Sequence, residues 1–311
     1  MSDITGIILA AGKGSRMQPF SDFCPKSVLP IMGRPIVVHQ LEMMHRLGIK
    51  RVVIVVGHLG YQLVNAVSRS PVASQLQIDY VDQKETLGIA HALGTLEAHV
   101  QDASLMFLGD IYFITDRLTE MIQMYRDNEV GAVLAAKVED DPKAVSRNFA
   151  IYENQDGAVT RVIEKPRHAR TRLKGCGLYL FGPEIFDAIR RTPRTAMRDE
   201  YEITDSIQIL INDGVGVRTA RVIDDDLNLT VASDLLAINM AELERAGQDS
   251  LVAQGTDVPP TVALNRCTVG QQVRFEGPAR LERCVLFDDV VVPADTERSN
   301  TIFFAGQTVA C

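Results

Sequence analysis

No apolar run in this 311-residue chain approaches the roughly 18–20 residues needed to cross a bilayer, so a membrane partner is not expected. Positive charge is also scarce. Lysine and arginine number 32 against 40 acidic residues, a net charge of −8. Sequence-independent nucleic-acid binding needs clustered positive charge, and a nucleic-acid partner is not expected either. The five cysteines are odd in number: Cys24, Cys176, Cys267, Cys284 and Cys311. None forms a Cys-x-x-Cys pair or lies at metal spacing from a histidine. That excludes a disulfide scaffold and fits reduced thiols in a cytoplasmic protein. The six histidines share no metal spacing. Met1-Ser2-Asp3 carries no positive charge, and the short apolar run that follows enters glycines directly, so no signal peptide is expected. What remains, at 46% hydrophobic and 23% charged residues, is an ordinary globular composition. The length suits two domains, or one large and one small.

Apolar runs alternate with amphipathic stretches over the first 130 residues. Residues 4–11, 51–56, 77–81 and 104–108 read as strands. The run Val52-Val53-Ile54-Val55-Val56 has the continuous β-branched character of a parallel strand covered on both faces. Residues 35–47, 61–68 and 89–100 read as helices. Such alternation predicts an α/β sheet of largely parallel strands, with ligands at the strands' carboxyl ends. Strands are then expected at 131–138, 158–164 and 177–181. Helices are expected at 183–191, 202–212 and 233–245, the last capped by Ser233 or Asp234. Residues 247–260 are rich in Gly, Asp, Gln and Pro and read as a linker. Beyond them the chain repeats every six residues. Val269, Phe275, Leu281 and Phe287 open successive hexads, and Val273, Ala279, Val285 and Val291 hold the fifth places. Hexads of this kind mark a β-helix in which each hexad is one face of a coil. The expected division is 1–246 as main domain, 247–260 as linker and 261–311 as a short hexapeptide-repeat domain.

The chemistry begins at Leu9-Ala10-Ala11-Gly12-Lys13-Gly14-Ser15-Arg16, where a strand meets a loop. Glycines there let backbone N–H groups approach phosphate oxygens, and Arg16 adds charge. The spacing fits neither a Walker A loop nor a dinucleotide fingerprint, since Lys13 is followed by Gly14 and the third fingerprint position is Met17. Ten residues later come Pro25-Lys26, Leu29-Pro30 and Gly33-Arg34-Pro35. Further on lie Gln83, Leu87-Gly88-x-Ala90, Gly109-Asp110, Glu164-Lys165-Pro166, Gly177-Leu178-Tyr179 and Glu200-Tyr201-Glu202-Ile203-Thr204-Asp205. In order, spacing and residue type this series resembles the sugar-1-phosphate nucleotidylyltransferases, and the resemblance spans nearly the whole chain.

That resemblance implies a Rossmann-like, GT-A-type mixed sheet flanked by helices, followed by a short left-handed β-helix. It implies in-line attack by a sugar-1-phosphate oxygen on the α-phosphorus of a nucleoside triphosphate. The nucleophile needs no general base, because a phosphate monoester with a second pKa near 6 is already ionised at neutral pH. Catalysis reduces to positioning and charge neutralisation. Leu9, Ala11, Gly12 and Gly14 are then expected along the nucleotide, and Arg16 and Lys26 at its phosphates. Asp110 should hold Mg²⁺, a hard cation that takes oxygen ligands. Asn228 is the expected second ligand, with Asp226 as its rival. Lys165 is expected at the sugar phosphate and Glu164 at sugar hydroxyls, with Glu200 a weaker candidate. Tyr179 should either touch the sugar phosphate or pack beneath the site. Gln83 and Gly88 occupy the positions that read a pyrimidine, and an amide suits the imide edge of uracil or thymine. UTP or dTTP is therefore favoured over GTP. Two positions depart from the family pattern: Ala150 follows Phe149 where glycine is expected, and Gly175 replaces an asparagine. Both leave the sugar open. The tail carries no histidine and reads as an oligomerisation or allosteric element, implying a homo-oligomer. Transfer to a non-sugar phosphate or phosphonate acceptor, and a non-catalytic regulatory paralogue, are the alternatives.

Overall fold

The structure is a computed structural model and describes residues 4–196 and 198–311. Packing divides the chain into two compact units. One comprises the residues up to Gly12 together with Gln40–Asp226, and the other Lys13–His39 with Leu227–Cys311. This differs from a boundary at 246, because residues 13–39 and the helix Ala232–Arg245 pack with the carboxyl-terminal strands.

The first unit holds a nine-stranded sheet. At its centre, Thr5–Leu9 runs parallel to Arg51–Val56 on one side and to Ser104–Leu108 on the other. Gln77–Asp82 extends the parallel set beyond Arg51–Val56. Leu173–Phe181 pairs antiparallel with Ser104–Leu108, Ala132–Val138 and Phe149–Glu153, and Val159–Glu164 continues antiparallel from Phe149–Glu153. The sheet is therefore mixed, with its parallel core where the β-branched run predicted it. Val52, Val53, Ile54 and Val55 are fully buried, as a strand covered on both faces requires. The expected helix over 89–100 ends at Gly94 and gives way to a 3-10 turn at Glu97–His99. Glycine is a poor helix interior residue, and this one also sits close against Ile189. The helix Leu118–Asp127 and the strand Phe149–Glu153 were not anticipated.

In the second unit, short parallel strands stack at a constant sequence offset of 17 residues. Leu251 pairs with Thr268, Thr268 with Val285 and Val285 with Ile302, while Val262 pairs with Ala279 and Ala279 with Thr296. Left-handed backbone recurs at the same offset, at Arg266, Arg283 and Asn300 and again at Gln272 and Asp289. The repeat is thus one residue short of three hexads. In consequence Leu286, and not the expected Phe287, stacks on Val269. The first pairing strand, Leu251–Val252, lies inside the segment read as a linker. A small apolar core of Val269, Leu281, Leu286, Val292 and Phe303 fills the stack. The helix Ala232–Arg245 starts from Val231. Asp234, expected as a cap, sits a turn later and accepts the N–H groups of Thr230 and Val231 at 2.7 and 2.8 Å.

Candidate functional site

Parallel strands in register end together, so the sheet of the first unit delivers three loops to one edge. Ala10, Gln83 and Gly109 each stand one residue past a strand and still donate a ladder bond, to Val55 O at 2.9 Å, Val56 O at 2.8 Å and Leu9 O at 2.9 Å. Residues 9–12, 83–88 and 109–110 therefore share the carboxyl edge, where ligands bind in such sheets. The antiparallel strands bring Glu164 and Lys165 to the same edge. Phe107 faces Leu178, Ala150 faces Lys174 and Phe149 faces Glu164, so the end of Val159–Glu164 is level with the end of Ser104–Leu108.

At this edge Ala11 is buried and Gly12 exposed, with nothing within 4 Å of where a Cβ would point. Gln83 is half-buried, its amide 3.5 Å from His91 Nδ1. Gly88 has φ +108°, and a Cβ there would fall 2.5 Å from Tyr201 O. That close approach, sealed by the bond from Tyr201 N–H to Leu87 O at 2.7 Å, admits only glycine. Asp110 is half-buried in the turn after Ser104–Leu108. Gln40, on the helix Ile36–Arg46, spans that turn: its Nε2 donates to Leu108 O and Ile111 O, both at 2.9 Å. The sequence carried no sign of this brace, because its partners lie some 70 residues away.

Lys165 adopts left-handed backbone at φ +39°, and its Nζ lies 3.3 Å from Glu164 Oε1. Arg198 reaches the same oxygen at 3.7 Å and Glu202 Oε1 at 2.7 Å. Burial raises the pKa of Glu164, and the Lys165 and Arg198 charges offset the rise only in part. Arg198 was not anticipated, although it opens the Arg-x-Glu-x-Glu stretch whose remaining residues were. Tyr179 is 2% exposed, and its ring stacks 5.4 Å from Phe181 and 6.0 Å from Phe149, so of its two expected placements the structure has the packed one. Phe149 occupies the place of any side chain at 175, which accounts for glycine where the family pattern has asparagine.

Asp226 and Lys174 form a buried ion pair at 2.7 Å, with side chains 1% and 5% exposed. Burial pushes the Asp226 carboxyl up while Lys174 pulls it down. A carboxylate held in this way is not placed to ligate an ion at the surface.

In the second unit, Arg16 lies exposed on the 3-10 turn Ser15–Met17, next to Gly14 in left-handed backbone at φ +63°. Lys26 folds over Gly14, where a Cβ would fall 3.0 Å from Lys26 Cγ. Its Nζ donates to Leu229 O at 2.9 Å. Gly14, Lys26 and the exposed Asn228, which precedes Leu229, are thus neighbours. Among the described residues, no group of three or more His, Cys, Asp or Glu could hold a metal ion. No helix among them is long and apolar enough to cross a membrane.

A family model described as nucleotidyl transferase matches residues 5–224. The chain is 32% identical over 216 residues to UTP–glucose-1-phosphate uridylyltransferase AglF of Haloferax volcanii, covering 70% of this chain and 87% of that protein. It is 30% identical over 274 residues to a glucose-1-phosphate thymidylyltransferase of Streptomyces antibioticus, covering 86% of this chain and 73% of the relative. A solved structure of UDP-glucose pyrophosphorylase complexed with UDP-glucose has the same fold, with a TM-score of 0.72 at 22% identity over 78% of this chain and 99% of that one.

Proposed function

This chain belongs to the nucleotidyl transferase family, and we propose that it transfers a nucleoside monophosphate from a nucleoside triphosphate to a sugar-1-phosphate. A phosphate oxygen of the sugar-1-phosphate bonds to the α-phosphorus, the bond to the β-phosphate oxygen breaks, and pyrophosphate leaves with the negative charge. The observation that carries this reading is the shared carboxyl edge of the sheet. It gathers backbone at Leu9, Ala11 and Gly12, the base-reading positions Gln83 and Gly88, the carboxylate Asp110, and the pair Glu164 and Lys165.

Arg16 and Lys26 neutralise the triphosphate, where charge builds on the leaving group. Lys165 takes the sugar phosphate and Glu164 the sugar hydroxyls. Two anions that repel in water are thus oriented against fixed cations, and orientation is most of the catalysis. Asp110 and Asn228 are the residues proposed to hold Mg²⁺. A carboxylate and an amide oxygen are the hard donors this ion takes, and the Lys174 pairing of Asp226 argues for Asn228 over its rival. When bound, Mg²⁺ supplies charge neutralisation at the phosphates.

The two relatives are named for uridylyl and thymidylyl transfer, which supports UTP or dTTP over GTP. We read the stacked strands at the 17-residue offset as a short left-handed β-helix that serves a cytoplasmic homo-oligomer. The residues proposed for catalysis fall within 1–246, and the repeat domain proposed for 261–311 takes in the strand Leu251–Val252 from the connection 247–260. A matrix of nucleoside triphosphates against sugar-1-phosphates, followed by pyrophosphate release, tests the assignment. A preferred pair containing UTP or dTTP is expected, and no release from any pair would overturn it.

A further inference from the structure

Residues 13–29 contain three short 3-10 turns, Ser15–Met17, Phe20–Asp22 and Lys26–Val28, and neither a longer helix nor a strand. Turns this short have poor internal hydrogen bonding and no core of their own. Their shape must come from what they pack on, and that is the carboxyl-terminal coil, in the same compact unit. Beside the bond from Lys26 Nζ to Leu229 O, an aromatic and a polar contact hold this stretch.

The first contact is aromatic. Phe20 is fully buried, with its ring centroid 4.4 Å from Phe304 and 5.9 Å from Phe287. Phe23 meets Phe304 edge-on at 5.5 Å. Phe287 can take part because the repeat is a residue short: Leu286 fills the interior position above Val269, and Phe287 points to Phe20.

The second contact is polar and also buried. Asn239, on the helix Ala232–Arg245, is 0% exposed. Its Nδ2 donates to Pro30 O at 3.0 Å, and its Oδ1 accepts Met32 N–H at 2.9 Å. Thr268, on the first full coil, donates its Oγ1 to the same Oδ1 at 3.3 Å. One amide therefore ties the segment just after Lys26 to the coil.

We propose that the carboxyl-terminal coil is a positioning element for the transfer reaction. Phe304 and Phe287 acting on Phe20, and Thr268 acting on Asn239, set the loop that presents Arg16 and Lys26 to the triphosphate. Phe304 and Thr268 are positioning residues that act through those two cations, and the proposal rests on the assignment of Arg16 and Lys26 to the nucleotide. A displacement of about 1 Å at such groups is enough to cost up to about 100-fold in rate.

The test is Phe304→Ala, Phe304→Leu and Thr268→Val in the full chain, assayed with the substrate pair that releases pyrophosphate fastest in the matrix. Phe304→Ala should lower kcat/KM for the nucleotide about 10- to 100-fold. KM for the sugar-1-phosphate should stay unchanged, and Phe304→Leu should recover most of the loss. Combined with Arg16→Ala, it should cost little beyond Arg16→Ala alone, as expected of residues acting as one unit. Amide exchange should quicken over residues 13–29 while the strands of the nine-stranded sheet keep their protection. Thr268→Val removes one hydroxyl, and it carries the same test should Phe304→Ala fail to fold. Arg16→Ala with wild-type kinetics would overturn the nucleotide assignment. Arg16→Ala with lost activity, beside Phe304→Ala or Thr268→Val variants that keep wild-type kinetics or lose equally toward both substrates, would overturn the positioning role alone.

Discussion

Replacing Gln40 by methionine keeps the length and volume of the side chain and removes its two donated bonds. The carbonyls of Leu108 and Ile111, which flank Gly109-Asp110, then lose the partner they have at 2.9 Å. A buried polar group left unpartnered costs about 1–3 kcal/mol. Two carbonyls are stranded, but Gln40 Oε1 is itself buried without a partner, and methionine removes that cost. The balance is one unmet group, about 1–3 kcal/mol. For a domain of this size that corresponds to a fall in Tm of about 2–4 °C per kcal/mol. The larger effect falls on activity. With its brace gone, the turn that carries Asp110 loosens, and the Mg²⁺ concentration for half-maximal pyrophosphate release should rise as kcat falls. Thermal unfolding together with a Mg²⁺ titration of initial rate measures both. Gln40→Glu should be worse than Gln40→Met, because a carboxylate would face two carbonyl oxygens. A Gln40→Met enzyme with wild-type Tm and wild-type Mg²⁺ dependence would refute the reasoning.

Asp110→Ala should lower the rate of pyrophosphate release by about 100- to 1000-fold or more, with circular dichroism and Tm near wild type; normal turnover would remove Asp110 from the metal assignment. Asp226→Leu leaves Lys174 buried with Glu139 3.9 Å away, and should cost about 3–5 kcal/mol in urea unfolding. The double variant Lys174→Met with Asp226→Leu should regain most of that, since a buried pair and an apolar pair of similar volume are close in stability. Glu164 has its pKa raised above the ordinary 4.5 chiefly by burial, so its protonated form is the one the fold favours. Its favourable contribution is full below pH 4.5 and is lost as pH rises through the higher folded value. Glu164→Gln should therefore unfold at higher denaturant than wild type at pH 7, with the gap closing toward pH 4; a gap that widens on acidification would contradict this.

The sequence by itself determined what depends on neighbours a few residues apart. The run Val52 to Val56 could only be a strand buried on both faces, and the glycines after Leu9 and before Asp110 mark where strands end. The hexads marked a repeating tail, whose strands pair in parallel at an offset of 17 residues and not the 18 of three hexads. Phe149–Glu153 and Leu118–Asp127 escaped notice because one is only five residues long and the other is half polar, so neither stands out as an apolar run. Only tertiary structure decided that Tyr179 is a core ring stacked on Phe149, that Asp226 belongs to Lys174, that Gln40 braces the Asp110 turn, and that Phe287 stacks on Phe20. Each of these is a contact between residues far apart along the chain, and local propensity carries no information about which distant group will fill a buried hydrogen bond or a gap between rings.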